Sequence, residues 1–173
     1  MTTPTPRLYQ VLFPVMILPF NVLVVIPVFM YHFSDKELLS LPAGLSRLFV
    51  LCAGSFLLIA GLMLLSRTIF LFYKKGKGSL APWHPTRQLV VEGPYRYVRN
   101  PMISGVLCVL FAESLLTNSF YIFCWALLFF VINYVYFIFA EEPGLYKRFG
   151  EEYKIYKNNV PRWIPRRTPW KKK

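Results

Sequence analysis

Cysteine is scarce in this 173-residue sequence, with Cys52, Cys108 and Cys124 the three present. Each lies inside an apolar run, and none has the paired spacing of a zinc site or a disulfide framework. They read as small helix-packing residues with no redox or metal role. Histidine is scarcer, with His32 and His84 alone, and no metal-ligand set is expected. Acidic residues are few as well, eight against twenty Lys and Arg, for a formal net charge of +12. Internal repeats and low-complexity tracts are missing. Gly76-Lys77-Gly78-Ser79 lacks the spacing of a phosphate-binding loop and reads as a hinge. No small-residue cleavage site follows the first apolar stretch, so a retained membrane span is expected there and not a signal peptide.

What is abundant is apolar mass: 55% of the residues are hydrophobic, and the mean hydropathy is +0.43. Charge and apolar mass occupy different segments. Residues 1–73 hold four basic side chains (Arg7, Lys36, Arg47 and Arg67), and the other sixteen follow from Lys74 onward. A nucleic-acid surface would interleave basic residues with a soluble core. Here long apolar runs alternate with basic connections, which suits a bilayer and argues against a nucleic-acid partner.

The pattern predicts an all-α, integral-membrane helical bundle forming a single domain, with spans near 8–31, 48–73, 103–116 and 120–140. The first is 24 residues, and at ~1.5 Å each this reaches ~36 Å, enough for a hydrocarbon core of ~30 Å. Its prolines Pro14, Pro19 and Pro27 predict kinks whose freed carbonyls face protein or water. The third and fourth spans, separated by Thr117-Asn118-Ser119, read as a helical hairpin. Lys74, Lys75, Lys77 and the basic C-terminal segment outweigh the near-neutral connection around Asp35, Lys36 and Glu37. Both termini and any active site are therefore expected on the cytoplasmic side of a multi-pass protein. From 144 to 173 the sequence predicts a cytoplasmic amphipathic helix, with Leu145, Phe149, Tyr153, Tyr156 and Val160 on one face. The terminal Arg166-Arg167-Thr168-Pro169-Trp170-Lys171-Lys172-Lys173 reads as an anionic-lipid anchor.

Chemistry is concentrated in the connection 74–100. Gly93-Pro94-Tyr95-Arg96-Tyr97-Val98-Arg99-Asn100-Pro101 is too polar for membrane depth yet leads directly into the third span. Read as extended, it turns Tyr95, Tyr97 and Arg99 to one side and Arg96, Val98 and Asn100 to the other. Asn100 before Pro101 reads as an N-cap with proline at the first helical position, which presents free N–H groups at the interface as an anion site. Glu141 and Glu142 are expected to end the fourth span as a carboxylate pair opposite Arg99. Pro143 disfavours helical geometry at Glu142. Such a pocket suits a ligand with a carboxylate, an ammonium and a further cationic centre, the three groups of S-adenosylmethionine. Arg99 or the helix end would take the first, Glu141 the second, and tyrosine faces the third.

The run Gly93 to Gly105 with Arg99-Asn100-Pro101, followed by Glu141-Glu142-x-x-Leu145, Phe149-Gly150, Tyr153, Tyr156 and Val160-Pro161-Arg162, resembles the isoprenylcysteine carboxyl methyltransferase and phospholipid methyltransferase superfamily. The resemblance covers roughly residues 74–165. It implies a membrane transferase that binds S-adenosylmethionine from the cytoplasm and a lipidic acceptor from the bilayer. Carried over by position, the cofactor contacts are Arg87, Gln88, Leu89, Val90, Tyr95, Arg99, Asn100, Pro101, Met102, Ile103 and Glu141. Relatives usually carry His at the position of Asn100 and Tyr at that of Ile103. Phe137 stands where the prenylcysteine enzymes carry a substrate arginine, which argues against a prenylcysteine carboxylate.

Asn133 shares a helix face with Phe137 and lines an acceptor tunnel or bonds between helices. With Glu142, these complete the expected substrate contacts. An amine or phenol acceptor has to lose a proton, and Glu142 and Tyr153 are the nearest candidates to receive it. Glu113 reads as an outer-interface residue, and Trp83 with His84 as a headgroup anchor. His32, at the end of the first span, has no expected role. Two other functions remain compatible with the sequence: an NADPH-dependent membrane reductase resembling sterol reductases, and a non-catalytic membrane lipid-binding protein.

Overall fold

Residues 19–33, 45–75 and 89–171 are described by the computed structural model, and every element among them is helical. A π-helical turn, Asn21–Val25, leads into α1 (Ile26–Phe33). Then come α2 (Leu45–Lys75), a 3-10 turn (Gly93–Arg96), α3 (Pro101–Thr117) and α4 (Phe120–Tyr136). A second π turn (Phe137–Glu141) joins α4 to α5 (Glu142–Asn159). Residues 8–18 of the first expected span and the polar residues 35–37 lie outside the described residues.

Proline explains the first π turn. Pro27 has no N–H, and the Ile26 N–H reaches back five residues to the Asn21 carbonyl, so the Val22 carbonyl loses its regular partner. The Trp125 indole N–H donates to it at 3.2 Å. The freed carbonyl faces protein, as the sequence led one to expect, and the bond ties this segment to α4.

Two helical runs are long and apolar enough to cross a membrane: Arg47–Leu71 and Phe120–Asn159, whose apolar part is its first half. Asn21–His32 and Pro101–Thr117 are apolar but shorter. Large side chains point outward on the long helices. Phe49, Phe56, Ile59 and Phe70 of α2 are more than half exposed, as are Leu128, Val131 and Ile132 of α4. The interior is built from small and branched residues, with Ala112, Ala126 and Leu110 fully buried. A surface this apolar fits lipid as solvent and makes the protein membrane-associated.

α2 and α3 pack through glycine. A Cβ on Gly61 would lie 2.8 Å from Val109 Cγ2 and 2.9 Å from the Gly105 carbonyl oxygen, and one on Gly105 would lie 3.2 Å from the Gly61 carbonyl oxygen. Two backbones therefore touch directly, the small-residue contact that substitutes in lipid for hydrophobic burial. α3 and α4 form the expected hairpin. Asn118 takes a left-handed conformation (φ 54°) that asparagine tolerates, and its N–H donates to the Leu115 and Ser114 carbonyls. Ser119 then caps α4, its hydroxyl accepting from the Ile122 N–H.

Replacing Gly61 by alanine forces these backbones apart. Gly61→Ala is expected to cost about 1–3 kcal/mol, read as a lower melting temperature of the detergent-purified protein. Gly144→Ala, where a Cβ meets nothing within 4 Å, is expected to leave it unchanged or raise it.

Candidate functional site

Gly93 adopts φ +52° and Pro94 fixes the next φ, so the chain turns there as a 3-10 helix in place of the expected extended strand. The Tyr95 N–H donates to the Glu92 carbonyl and the Tyr97 N–H to that of Pro94, both at 3.0 Å. The facing changes accordingly. Tyr95 and Val98, three apart, share the buried side, whereas Tyr97 is exposed. The alternation of Tyr95, Tyr97 and Arg99 on one side is thereby overturned.

Asn100 precedes α3 and Pro101 is its first residue, as expected, but the Asn100 carboxamide makes no capping bond. Its backbone carbonyl instead accepts from the Ser104 N–H at 3.1 Å and from the Ser104 hydroxyl at 3.0 Å. Pro101 has no N–H, so the Met102 and Ile103 N–H groups remain without an acceptor inside the helix.

The fourth apolar helix does not stop at the glutamates. Glu142 keeps helical angles (φ −63°, ψ −43°) despite Pro143. The irregularity demanded by proline moves upstream, where the Glu142 N–H reaches the Phe137 carbonyl through the π turn. This repeats the arrangement before Pro27. The helical path then continues to Asn159, broken at Gly150 (φ 52°, ψ −129°). The expected amphipathic segment is therefore two short helices.

Because the path stays helical, consecutive carboxylates diverge by about 100° and the expected pair facing Arg99 does not form. Glu142 alone meets Arg99. Its Oε1 accepts from Arg99 Nη1 at 2.9 Å and from Arg162 Nε at 2.7 Å. Its Oε2 lies 2.8 Å from Lys157 Nζ. Arg99 Nη1 also donates to the Tyr153 hydroxyl at 3.3 Å. Glu141 instead accepts from the Tyr136 hydroxyl at 3.3 Å and contacts no cation among the described residues.

The segment after α5 closes the arrangement. The Arg99 N–H donates to the Pro161 carbonyl, the Arg166 N–H to that of Tyr97, and the Trp170 N–H to that of Arg96, each at 2.9 Å. Arg96 Nε returns a bond to the Trp170 carbonyl at 2.7 Å. Up to residue 171 the basic tail is thus laced along the turn that carries Arg99. The face of α5 expected to lie on lipid is covered by protein: Tyr153, Tyr156 and Val160 are buried together, packed by Leu89, Val91, Leu145, Phe149 and Trp170. The Tyr156 hydroxyl donates to the Tyr95 carbonyl at 2.8 Å.

These contacts sort the expected residues. Arg99, Asn100, Pro101, Met102 and Ile103 lie together at the start of α3, with Tyr95 buried beside them and Glu142 across from Arg99. Leu89 packs in the α5 cluster, and Val90 is half-buried beside it. Arg87 and Gln88, like Trp83 and His84, lie outside the described residues. Asn133 donates its amide to the Phe129 carbonyl on its own helix at 2.8 Å, not across helices. Phe137 packs edge-on against Trp163, with ring centroids 5.8 Å apart. Arg162 entered the sequence reasoning only as part of the Val160-Pro161-Arg162 motif, with no role assigned, and Lys157 and Trp163 were given no site role. Trp163 and Trp170, set among prolines in a basic tail, were the available signal that this tail packs.

Burial pushes the Glu142 carboxyl up, but Lys157, Arg99 and Arg162 together reverse this and hold it below the usual carboxylate range. Burial, reinforced by the Glu142 charge, raises the Tyr153 phenol above its ordinary value. Neither group suits the role of general base that sequence reasoning allowed them. Both Glu142 oxygens are committed to cations, and Tyr153 is held protonated.

A depressed folded-state value means that the Glu142 contribution to stability is present above the unfolded carboxyl pKa and is lost as the pH falls through the lower folded value. The melting temperature is expected to decline as the pH drops below about 4.5, with the decline blunted in Glu142→Gln. At neutral pH that variant leaves three cations around a neutral amide. It is expected to cost about 2–3 kcal/mol, less than the ~3–5 of a fully buried broken pair because Lys157 opens to solvent.

Among curated proteins, no individual sequence matches the chain. A protein-family model does, that of phospholipid methyltransferase, over residues 50–152, more than half of the sequence. The match runs from α2 through the Arg99 turn and the α3–α4 hairpin to Glu142 and into α5. With Arg99, Glu142 and the start of α3 inside the matched stretch, the chain belongs to the phospholipid methyltransferase family.

Proposed function

We propose that this protein transfers a methyl group from S-adenosylmethionine to a phospholipid or similar membrane-partitioned acceptor, in a pocket bounded by the Arg99 turn, the start of α3 and the end of the second π turn. The observation that carries the reading is the family match across residues 50–152. Family membership points to methyltransferase activity on lipid substrates. The outward-facing apolar surface gives such an acceptor a route from the bilayer, and four crossings with both termini and the pocket cytoplasmic fit the basic connections.

The groups left uncommitted at this level fit the cofactor. Met102 and Ile103 N–H and the Asn100 carboxamide are donors without helix or cap partners, suited to a carboxylate. Glu141, engaged only by a tyrosine hydroxyl among the described residues, is suited to an ammonium. Exposed Tyr97 and Tyr136 offer aromatic faces to a sulfonium or a purine ring. When bound, S-adenosylmethionine supplies an electrophilic methyl on sulfur. The residues of the chain then serve mainly to align the acceptor and exclude water. The Glu142 cluster holds Arg99 rigid.

Calorimetric titration of the detergent-purified protein with S-adenosylmethionine and, separately, with NADPH tests the reading. Saturable S-adenosylmethionine binding, weakened about tenfold or more by Glu141→Gln (roughly 1.4 kcal/mol or more), is expected. NADPH binding alone would replace the proposal with a reductase, and binding of neither would indicate a non-catalytic protein.

A further inference from the structure

Glu142 cannot neutralise the cations gathered on it. Arg99, Lys157 and Arg162 bring three positive charges to one carboxylate. The neighbouring Glu141, which would balance a second charge, turns to Tyr136 instead. Donors are in surplus as well as charge. Arg99 is nine-tenths buried, with a side chain 10% exposed, yet its Nε has no hydrogen-bond partner. One residue beyond Arg162, the indole Nε1 of Trp163 is buried and equally unpartnered. A buried donor left unmade is costly, and so is the excess positive charge on the largely buried guanidiniums of Arg99 and Arg162. An ion network serving stability alone would pair these groups.

The cluster also has an apolar approach. Arg162 stands over the Tyr134 ring at 5.5 Å, and Trp163 packs edge-on against Phe130 with ring centroids 5.1 Å apart. Tyr134 and Phe130 belong to α4, whose Val131 and Val135 neighbours face outward. Lys157 remains 46% exposed, so the cluster is open on that side. Acyl chains lying against α4 would bring a headgroup to the level of these cations.

We propose that Arg99, Lys157 and Arg162 form a subsite for the phosphodiester of the acceptor lipid. The assignment rests on the lipid-methyltransferase reading above and specifies how the acceptor is held. A phosphodiester offers several acceptor oxygens around a tetrahedral centre, matching a guanidinium fork joined by an ammonium better than a planar carboxylate does. Its single negative charge removes half of the surplus. Lys157 and Arg162 thus determine specificity for a phosphate-bearing acceptor, and Glu142 positions them.

The test uses the full chain in a non-ionic, phosphate-free detergent, with tryptophan fluorescence reporting the binding of dihexanoyl phosphatidylethanolamine and, for comparison, dihexanoylglycerol. S-adenosylmethionine binding is followed separately by calorimetry. Lys157→Gln and Arg162→Gln are each expected to weaken phospholipid binding about tenfold or more, with cofactor affinity within about twofold of wild type. Arg162→Lys, which keeps the charge and loses the fork, is expected to fall between, and it carries the test if Arg162→Gln fails to fold. Equal affinity for the two lipids would overturn the subsite. Loss of cofactor affinity with phospholipid binding unchanged would overturn it in favour of a carboxylate site for the cofactor. Phospholipid binding that depends on Lys157 and Arg162 in a protein that does not bind S-adenosylmethionine would support the subsite and sink the methyltransferase reading.

Discussion

Glu142 is where three parts of the chain are joined: the turn before α3 through Arg99, α5 through Lys157, and the C-terminal segment through Arg162. Charge-assisted bonds at 2.7–2.9 Å are strong because the carboxylate is nearly excluded from water. Each distant segment is fixed by the same atom pair. The backbone bonds from Arg96, Tyr97 and Arg99 to the tail follow that alignment, as does the burial of Tyr153, Tyr156 and Val160 beneath it. In a helical bundle whose apolar outer surfaces would gain nothing in lipid from expelling water, a polar knot supplies directionality that packing alone does not.

Proline and glycine set the geometry around that knot. Pro27 and Pro143 each sit two residues after a five-residue π turn. The helix in each case absorbs the missing N–H upstream and keeps its direction. At the second site this keeps Glu142 helical and swings Glu141 away from it, so two adjacent carboxylates acquire different surroundings: one saturated with cations, the other meeting a single hydroxyl. That divergence makes Glu142 the structural carboxylate and leaves Glu141 as the one proposed above to meet the cofactor. Gly61 and Gly105 bring α2 against α3 at backbone contact and so place the start of α3.

Much of this was legible in the sequence. The apolar runs, the hairpin at Asn118, the N1 role of Pro101 and the grouping of Leu145, Tyr153, Tyr156 and Val160 follow from composition and periodicity, which act locally, although that group packs in protein and not on lipid. The signals that misled were also local. Alternation in Tyr95 to Asn100 suggested an extended strand, but Gly93 and Pro94 impose a turn. The Glu141-Glu142 doublet read as a pair, although neighbouring residues on a helix cannot face one way. Arg162 and Lys157 gave no local sign of their role because their partner lies 20 and 15 residues away. Only the fold brings them to Glu142.

The most direct measurement of the central claim is incubation of the purified protein and phospholipid vesicles with S-adenosylmethionine carrying a labelled methyl group, followed by solvent extraction. Label recovered in the phospholipid fraction, and lost in the Glu141→Gln protein, is the predicted result. A protein that binds the labelled cofactor but leaves the phospholipid fraction unlabelled would contradict the account.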